Sequence, residues 1–155
     1  MVDVVSPEKR SSMMAGIRNK NTKPEILIRK LLHAAGFRFR LHDSKLPGRP
    51  DIVLPKYKTA IFVNGCFWHG HENCHHFRLP KSKTQFWAEK ISGNRRRDAA
   101  RIAELGCANW RVFTIWECAI KGLPPSELEL LKEKLCRLLL ASDQFQAEIS
   151  RIRAP

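Results

Sequence analysis

The stretch DIVLPKYKTAIFVNGC, Asp51 to Cys66, decides how this chain is read. Asp51-Ile-Val-Leu54 is a short apolar run led by an acid, Lys56-Tyr57-Lys58 is a turn, and Thr59 to Val63 is a second apolar run. Such short runs bounded by turn signals predict strands, and the second predicts a buried central one. Upstream, KLPGRP (Lys45–Pro50) is a turn-rich loop. Phe37 to His42 alternates Phe37, Phe39 and Leu41 with Arg38, Arg40 and His42, which predicts a strand with one wet face. Before it, Thr22 opens a helical pattern in which Ile26, Ile28, Leu31, Leu32 and Ala35 recur, and Gly36 ends it. Downstream, residues 65–80 are irregular and rich in His and Cys. Gln85 to about Leu105 predicts a long helix, basic at Arg95, Arg96 and Arg97, with Asn109 as a left-handed residue at its end. Arg111 to Trp116 predicts a strand. Pro124 and Pro125 break the chain, and Ser126 is expected to cap a last helix with a stripe of Leu128, Leu131, Leu135, Leu138 and Leu139. The order helix, three strands, helix, strand, helix predicts a single α/β domain, a mixed sheet flanked by helices. Residues 1–20 read as a basic arm, 21–142 as the domain and 143–155 as a tail.

A length of 155 residues suits one domain. The 43% hydrophobic and 28% charged fractions exclude wholesale disorder and an integral membrane protein. No apolar run approaches the ~18 residues of a membrane-spanning helix, and the N-terminal sequence has no apolar signal core. A cytoplasmic protein is expected. The formal charge of +13, from 28 Lys plus Arg against 15 Asp plus Glu, makes nucleic acid the expected partner.

The five cysteines, Cys66, Cys74, Cys107, Cys118 and Cys136, are an odd number and suit a reduced protein better than a disulfide framework. GCFWHGHENCHHF (Gly65–Phe77) offers Cys66, His69, His71, Cys74, His75 and His76 within eleven residues. Thiolate and imidazole are the ligands zinc prefers, and a structural site needs four of them. Cys66, His71 and Cys74 supply three at close spacing, and Cys118, after the strand ending at Trp116, is a candidate fourth. His69, His75 and His76 compete with His71 on spacing alone. Cys107 and Cys136 read as small apolar side chains.

Acids are scarce, so their positions are informative. Asp51, at the mouth of one strand beside the end of its neighbour, is placed to hold Mg²⁺, which takes carboxylate, carbonyl and phosphate oxygens. The alternative is a plain strand-start residue bonding the loop backbone. Glu25 completes a Thr-x-x-Glu capping box with Thr22 and is free to serve a metal site as well. His69 has the pKa range of a general base, or is a zinc ligand or a solvated loop residue.

Together these residues resemble the very short patch repair endonucleases. The matching stretches are LPGRPDIVLP (Leu46–Pro55), IFVNGCFWHGH (Ile61–His71) with the following Cys74, FWAEKISGNRRRD (Phe86–Asp98) and WRVFTIWECA (Trp110–Ala119), so the resemblance spans roughly residues 8 to 121. It implies a restriction-endonuclease-like core. The implied enzyme nicks duplex DNA 5′ of the thymine in a T:G mismatch, the product of 5-methylcytosine deamination, with catalytic Mg²⁺ and structural zinc. By position, it implies Asp51 as the Mg²⁺ ligand and the Val63 carbonyl as a second metal contact. Glu25 would act through metal-bound water, and His69 would be the general base. Cys66, His71, Cys74 and Cys118 would hold zinc. Phe67, Trp68 and Trp87 would form a wedge entering the base stack, with Lys90, Asn94 and Arg95 as DNA contacts. Aromatic faces stack on bases at about 1–3 kcal/mol each, and a mismatch is cheaper to unstack than a matched pair. A bacterial cytoplasmic monomer with a functional link to a DNA cytosine methyltransferase and mismatch-repair proteins is the implied setting.

Two departures from the family pattern stand out. Asn64 occupies a position where the best-known members carry a histidine that organises metal-bound water. Two residues, Glu72 and Asn73, separate His71 from Cys74 where the familiar pattern has one. Arg38, Arg40, Lys45, Arg49, Lys81, Lys83, Lys90 and Arg95–Arg97 are candidate phosphate contacts, and the arm around Lys9, Arg10 and Arg18 is a candidate clamp. The rival readings are a restriction-type nuclease of other specificity and a non-catalytic zinc-stabilised DNA-binding protein.

Overall fold

The computed structural model describes residues 6–9, 20–141 and 143–151. Eight principal elements are α1 (Lys23–Ala34), β1 (Arg40–Leu41), β2 (Ile52–Leu54), β3 (Thr59–Asn64), α2 (Thr84–Cys107), β4 (Arg111–Trp116), α3 (Pro125–Leu140) and β5 (Gln146–Ile149). The five strands form one mixed sheet in chain order. β1, β2 and β3 pair antiparallel, whereas β3, β4 and β5 run parallel. Among the described residues no helix is long and apolar enough to cross a membrane.

Side-chain alternation on the central strands divides the core into two layers. Ile61, Val63, Phe113 and Ile115 point to the face covered by Ile28 and Leu32 of α1 and by Leu131, Leu135 and Leu139 of α3. Ala60, Phe62 and Val112 point to the other face, where Ile102 and Leu105 of α2 pack. With a helix on each side, every residue of β4 is buried, as is every residue of β3 except the half-buried Phe62.

The local signals that start and stop α1 act as the sequence suggests. Thr22 Oγ1 accepts the Glu25 N–H at 3.4 Å, and Gly36 follows the helix at φ +87°. Asn109 takes φ +64° after α2. Three expectations change. The strand expected over Phe37–His42 shrinks to Arg40–Leu41, because only these two residues pair with β2, whose own run is Ile52–Leu54, and the backbone turns left-handed at His42 (φ +47°). Ser126 does not cap α3: the helix begins one residue earlier on Pro125, whose ring suits the first helical position, and Pro124 precedes it without a side-chain cap. In the stripe of α3, Leu128 and Leu138 are only half-buried.

The segment read as a tail contains β5, at the sheet edge beside β4. Arg111 anchors that edge. Its guanidinium donates to the carbonyls of Leu138 (2.5 Å), Leu139 (2.9 Å), Ala141 (2.6 Å) and Gln144 (2.8 Å), and to Thr59 Oγ1 (3.3 Å). One buried side chain thus satisfies carbonyls that the end of α3 leaves without helical partners and steers the chain into β5. Of the N-terminal arm, Lys9 is described, whereas Arg10 and Arg18 lie outside the described residues.

Candidate active site and metal cluster

The C-terminal end of β3, the start of β2, the N-terminal turn of α1 and the flank of α2 enclose a cleft of about 610 Å³. Glu25, His42, Asp51, Val63, Asn64, Trp68, His69 and Asp98 all line it. Asp51 is there because the β2–β3 ladder ends beside it. Continued by two residues, the register would set Val63 against Pro50, which has no N–H to give the Val63 carbonyl. The Val63 N–H is taken by the Asp51 carboxylate, which accepts it on Oδ2 at 2.8 Å. Burial raises the Asp51 carboxyl to about 6. The Val63 N–H opposes that shift, nearby Glu25 adds to it, and His42 and His69 reduce it.

Glu25 is 2% exposed although ionisable, so its partners matter. Its Oε2 accepts from the Asn21 N–H (2.9 Å) and Arg29 Nη2 (3.0 Å) and lies 3.2 Å from His42 Nε2. Its Oε1 accepts from Thr22 Oγ1 at 3.3 Å. The capping box is therefore half formed: Thr22 caps the Glu25 N–H, and the returning carboxylate reaches the Asn21 N–H one residue early. Ligand atoms of Glu25, His42 and Asp51 lie within 4.8 Å of one another, and the three could hold a cation. Sequence reasoning missed His42, placing it on the wet face of a strand.

His69 lies across the cleft, with Nδ1 2.6 Å from Asp98 Oδ2. A carboxylate can only accept, so the shared proton sits on Nδ1 and the Nε2 lone pair is left free in the neutral ring. Asp98 is a second residue that sequence reasoning missed. It ends the basic run Arg95–Arg97, and only the lone acid after three arginines marked it.

Below the cleft floor a second cluster forms. Cys66, His71, Cys74 and Cys118 bring one ligand atom each to within 4.8 Å of one another, and could hold a metal ion. Cys66 follows β3 and Cys118 follows β4, so the parallel pairing of these strands, which sets Asn64 beside Trp116, brings the two thiols together. His71 Nδ1 is 3.6 Å from Cys118 Sγ, and its ring stacks on Trp116 with centroids 4.0 Å apart and planes at 5°. Burial pushes both the Cys66 and Cys118 thiols up and the His71 imidazole down. A bound divalent cation would draw the sulfurs to the thiolate form, and a neutral His71 is ready to ligate. His69 is engaged with Asp98 instead, and His75 packs its ring against His76 at 4.0 Å. Cys107 and Cys136 are not members of the cluster.

The loop between the two sites lies tightly on α2. Gly70 takes φ +60°, and a Cβ there would stand 2.6 Å from Ile91 Cγ2, so only glycine fits. This places Phe67 and Trp68 against Trp87 of α2, with ring centroids 5.2–5.8 Å apart. Phe86, not expected from sequence, extends the group and is 54% exposed. Lys90 sits over Phe86 (5.9 Å) and Trp87 (6.0 Å). Asn94 is half-buried and donates to the Trp68 carbonyl at 2.9 Å, while Arg95 pairs with Glu72. Both therefore brace the loop from α2.

A family model described as DNA mismatch endonuclease Vsr matches residues 2–76. The chain is 44% identical over 138 residues to the DNA mismatch endonuclease Vsr of Escherichia coli, covering 87% of this chain and 86% of that protein. It is 48% identical over 130 residues to a type II nicking enzyme, V.XorIIP, of Xanthomonas oryzae, covering 84% of this chain and 95% of the relative. It is 45% identical over 139 residues to another, V.NmeAIP, of Neisseria meningitidis, covering 90% and 95%.

Proposed function

Because this chain belongs to the Vsr family of DNA mismatch endonucleases and is an endonuclease by that descent, we propose that it nicks duplex DNA on the 5′ side of the thymine in a T:G mismatch. The observation that carries the reading is the meeting of Asp51, the end of β3 and the His69–Asp98 pair in one cleft, beside a half-exposed aromatic group. On this reading the fold is a restriction-endonuclease-like core, with residues 21–142 as its main body, β5 added at the edge and residues 1–20 as an arm over the duplex.

The residues fit Mg²⁺ at Asp51. Oδ2 is held by the Val63 N–H, which leaves Oδ1 for a cation. A strand residue directs its N–H and C=O to the same edge, so the Val63 carbonyl faces this side too. Carboxylate plus carbonyl is a hard oxygen set suited to Mg²⁺. When bound there, Mg²⁺ lowers the pKa of the attacking water and stabilises the leaving oxygen. Asp98 fixes the His69 tautomer, so Nε2 is the atom that takes the proton from water. Glu25 and Asn64, both at the cleft wall, orient water by hydrogen bonds, and Asn64 does so without titrating.

The Cys66–His71–Cys74–Cys118 set fits zinc by ligand type and number. Four protein ligands leave no open position, so its role is to hold the loop to the sheet. Phe67, Trp68 and Trp87 present π-faces for unstacked bases, and a mismatched step costs least to open. Lys90 and the remaining surface cations contact phosphate and set register. A single active site suffices for a nick, so a monomer acts. Its substrate arises where a cytosine methyltransferase has worked, which places the enzyme with the bacterial chromosome.

The test uses labelled duplexes with Mg²⁺, one carrying a single T:G mismatch in a CCWGG-type context and one fully matched. Nicking confined to the strand 5′ of the mismatched T, and absent in Asp51→Ala that still binds DNA, is the expected result. Equal cutting of both duplexes would leave a nuclease of other specificity. Binding without Mg²⁺-dependent cutting would leave a DNA-binding protein.

A further inference from the structure

Two of the acids that line the cleft, Glu25 in α1 and Asp51 just before β2, come from different elements, and one residue touches both. The His42 N–H donates to the Asp51 carbonyl at 3.3 Å, and its ring Nε2 lies 3.2 Å from Glu25 Oε2. Arg49 Nε reaches the His42 carbonyl at 3.4 Å from the far side. The His42 N–H bond extends the β1–β2 register by one residue, and the backbone turns left-handed there (φ +47°).

We infer that His42 is a positioning residue, a strut that fixes the Glu25 carboxylate relative to Asp51. The inference rests on the proposed cation site at Asp51. Hydrogen-bond chemistry sets its direction. Arg29 Nη2 also lies 3.3 Å from His42 Nε2, but its two hydrogens serve Asn21 Oδ1 (2.9 Å) and Glu25 Oε2 (3.0 Å). A carboxylate accepts only, so His42 Nε2–H is the donor to Glu25, and it joins the Asn21 N–H and Arg29 Nη2 on the same oxygen. Three donors saturate Oε2 and lock the carboxylate plane. Oε1 has one 3.3 Å contact, from Thr22 Oγ1, and is the oxygen left for water in the cleft. Arg29 and Asn21 belong to α1 and its cap, so they hold Glu25 only to its own helix. His42 is the donor that ties it to β2.

Residues that orient the groups around a metal site are worth about 10- to 100-fold in metal affinity or activity. The experiment measures Mn²⁺ binding by electron paramagnetic resonance, with Zn²⁺ kept on the thiol cluster, where Mn²⁺ competes poorly. It also measures kcat and KM for mismatch nicking. His42→Ala should weaken Mn²⁺ by about tenfold and lower kcat by at least as much, with KM for DNA nearly unchanged. His42→Gln keeps an N–H at the same reach and should recover most of both. Equal behaviour of His42→Ala and wild type would overturn the inference, as would equal damage in Ala and Gln. So would a ¹⁴N coupling on Mn²⁺ that His42→Gln removes, since that marks a direct ligand. Asp51→Asn separates the premise. Should it bind Mn²⁺ like wild type, the cation site itself fails and the strut with it. If Asp51→Asn loses Mn²⁺ while His42→Ala does not, only the strut fails.

Discussion

The carboxylate cleft and the thiol cluster hang from the same strand end, yet they are built on opposite principles. Cys66 and Cys118 are 0% and 1% exposed, and with His71 and Cys74 they close on one another. Asp51 and His69 line a cleft of about 610 Å³. The cluster brings four soft ligands together, the arrangement that favours a structural ion. The cleft offers a hard oxygen, an imidazole and room for a phosphate, and it carries a half-buried carboxyl raised to about 6. Substitutions should therefore separate cleanly, with the cluster governing whether the domain stands and the cleft governing what it does.

The largest effect is expected in the cluster. Structural zinc contributes on the order of 10 kcal/mol to small folds. Loss of about a third of that would lower the melting midpoint of a 155-residue domain by roughly 10 °C. Cys74 is only half-buried, so Cys74→Ser tests ligation more than packing. Calorimetry with metal analysis should show the whole domain melting early and zinc lost. A stable, zinc-free, active variant would erase the contrast between the two sites.

Next comes the His69–Asp98 pair. His69→Ala should slow nicking by ~10²-fold or more, the usual worth of a positioned base, and leave the melting midpoint close to wild type. Asp98→Asn should slow nicking through the same step by a comparable factor, because the amide can hold the ring in the wrong tautomer and so occupy Nε2 with the proton. Single-turnover nicking rates check both. A His69→Ala enzyme at wild-type rate would move the base elsewhere in the cleft.

What could be read from the sequence follows the range of the interactions. The capping signal of α1, the turn at Lys58 and the paired strands β2 and β3 are local, and they fold as their residues suggest. The thiol cluster was legible because Cys and His crowd one loop, although Cys118 needed the parallel β3–β4 pairing to arrive. His42 and Asp98 were missed for the opposite reason. Each acts on a residue far away in sequence, Glu25 in one case and His69 in the other. No periodicity encodes such a meeting. β5 was missed because an edge strand of alternating polar residues carries little apolar signal, and its anchor, Arg111, read as one more basic residue.

The smallest effect is the most discriminating, because its sign differs between the two sites. In folded protein stripped of divalent cations from the cleft, burial pushes the Asp51 carboxyl up to about 6, against 3.8 for an ordinary aspartate. Between those values the folded state holds a proton that the unfolded chain has released. The associated stability is fully present below 3.8 and is lost as the pH rises through about 6. At pH 8 the ionised carboxyl is therefore a burden on the fold of about 1–3 kcal/mol, given a cleft that admits water. Asp51→Asn keeps an acceptor for the Val63 N–H and removes the charge. It should melt higher than wild type at pH 8, converge with it near pH 4, and be inactive throughout. Mg²⁺ should stabilise wild type at pH 8 and leave Asp51→Asn unmoved. A stability difference independent of pH would mean that the cleft's acid is held by packing rather than by the cost of its charge, and the distinction between the two sites would rest on ligand type alone.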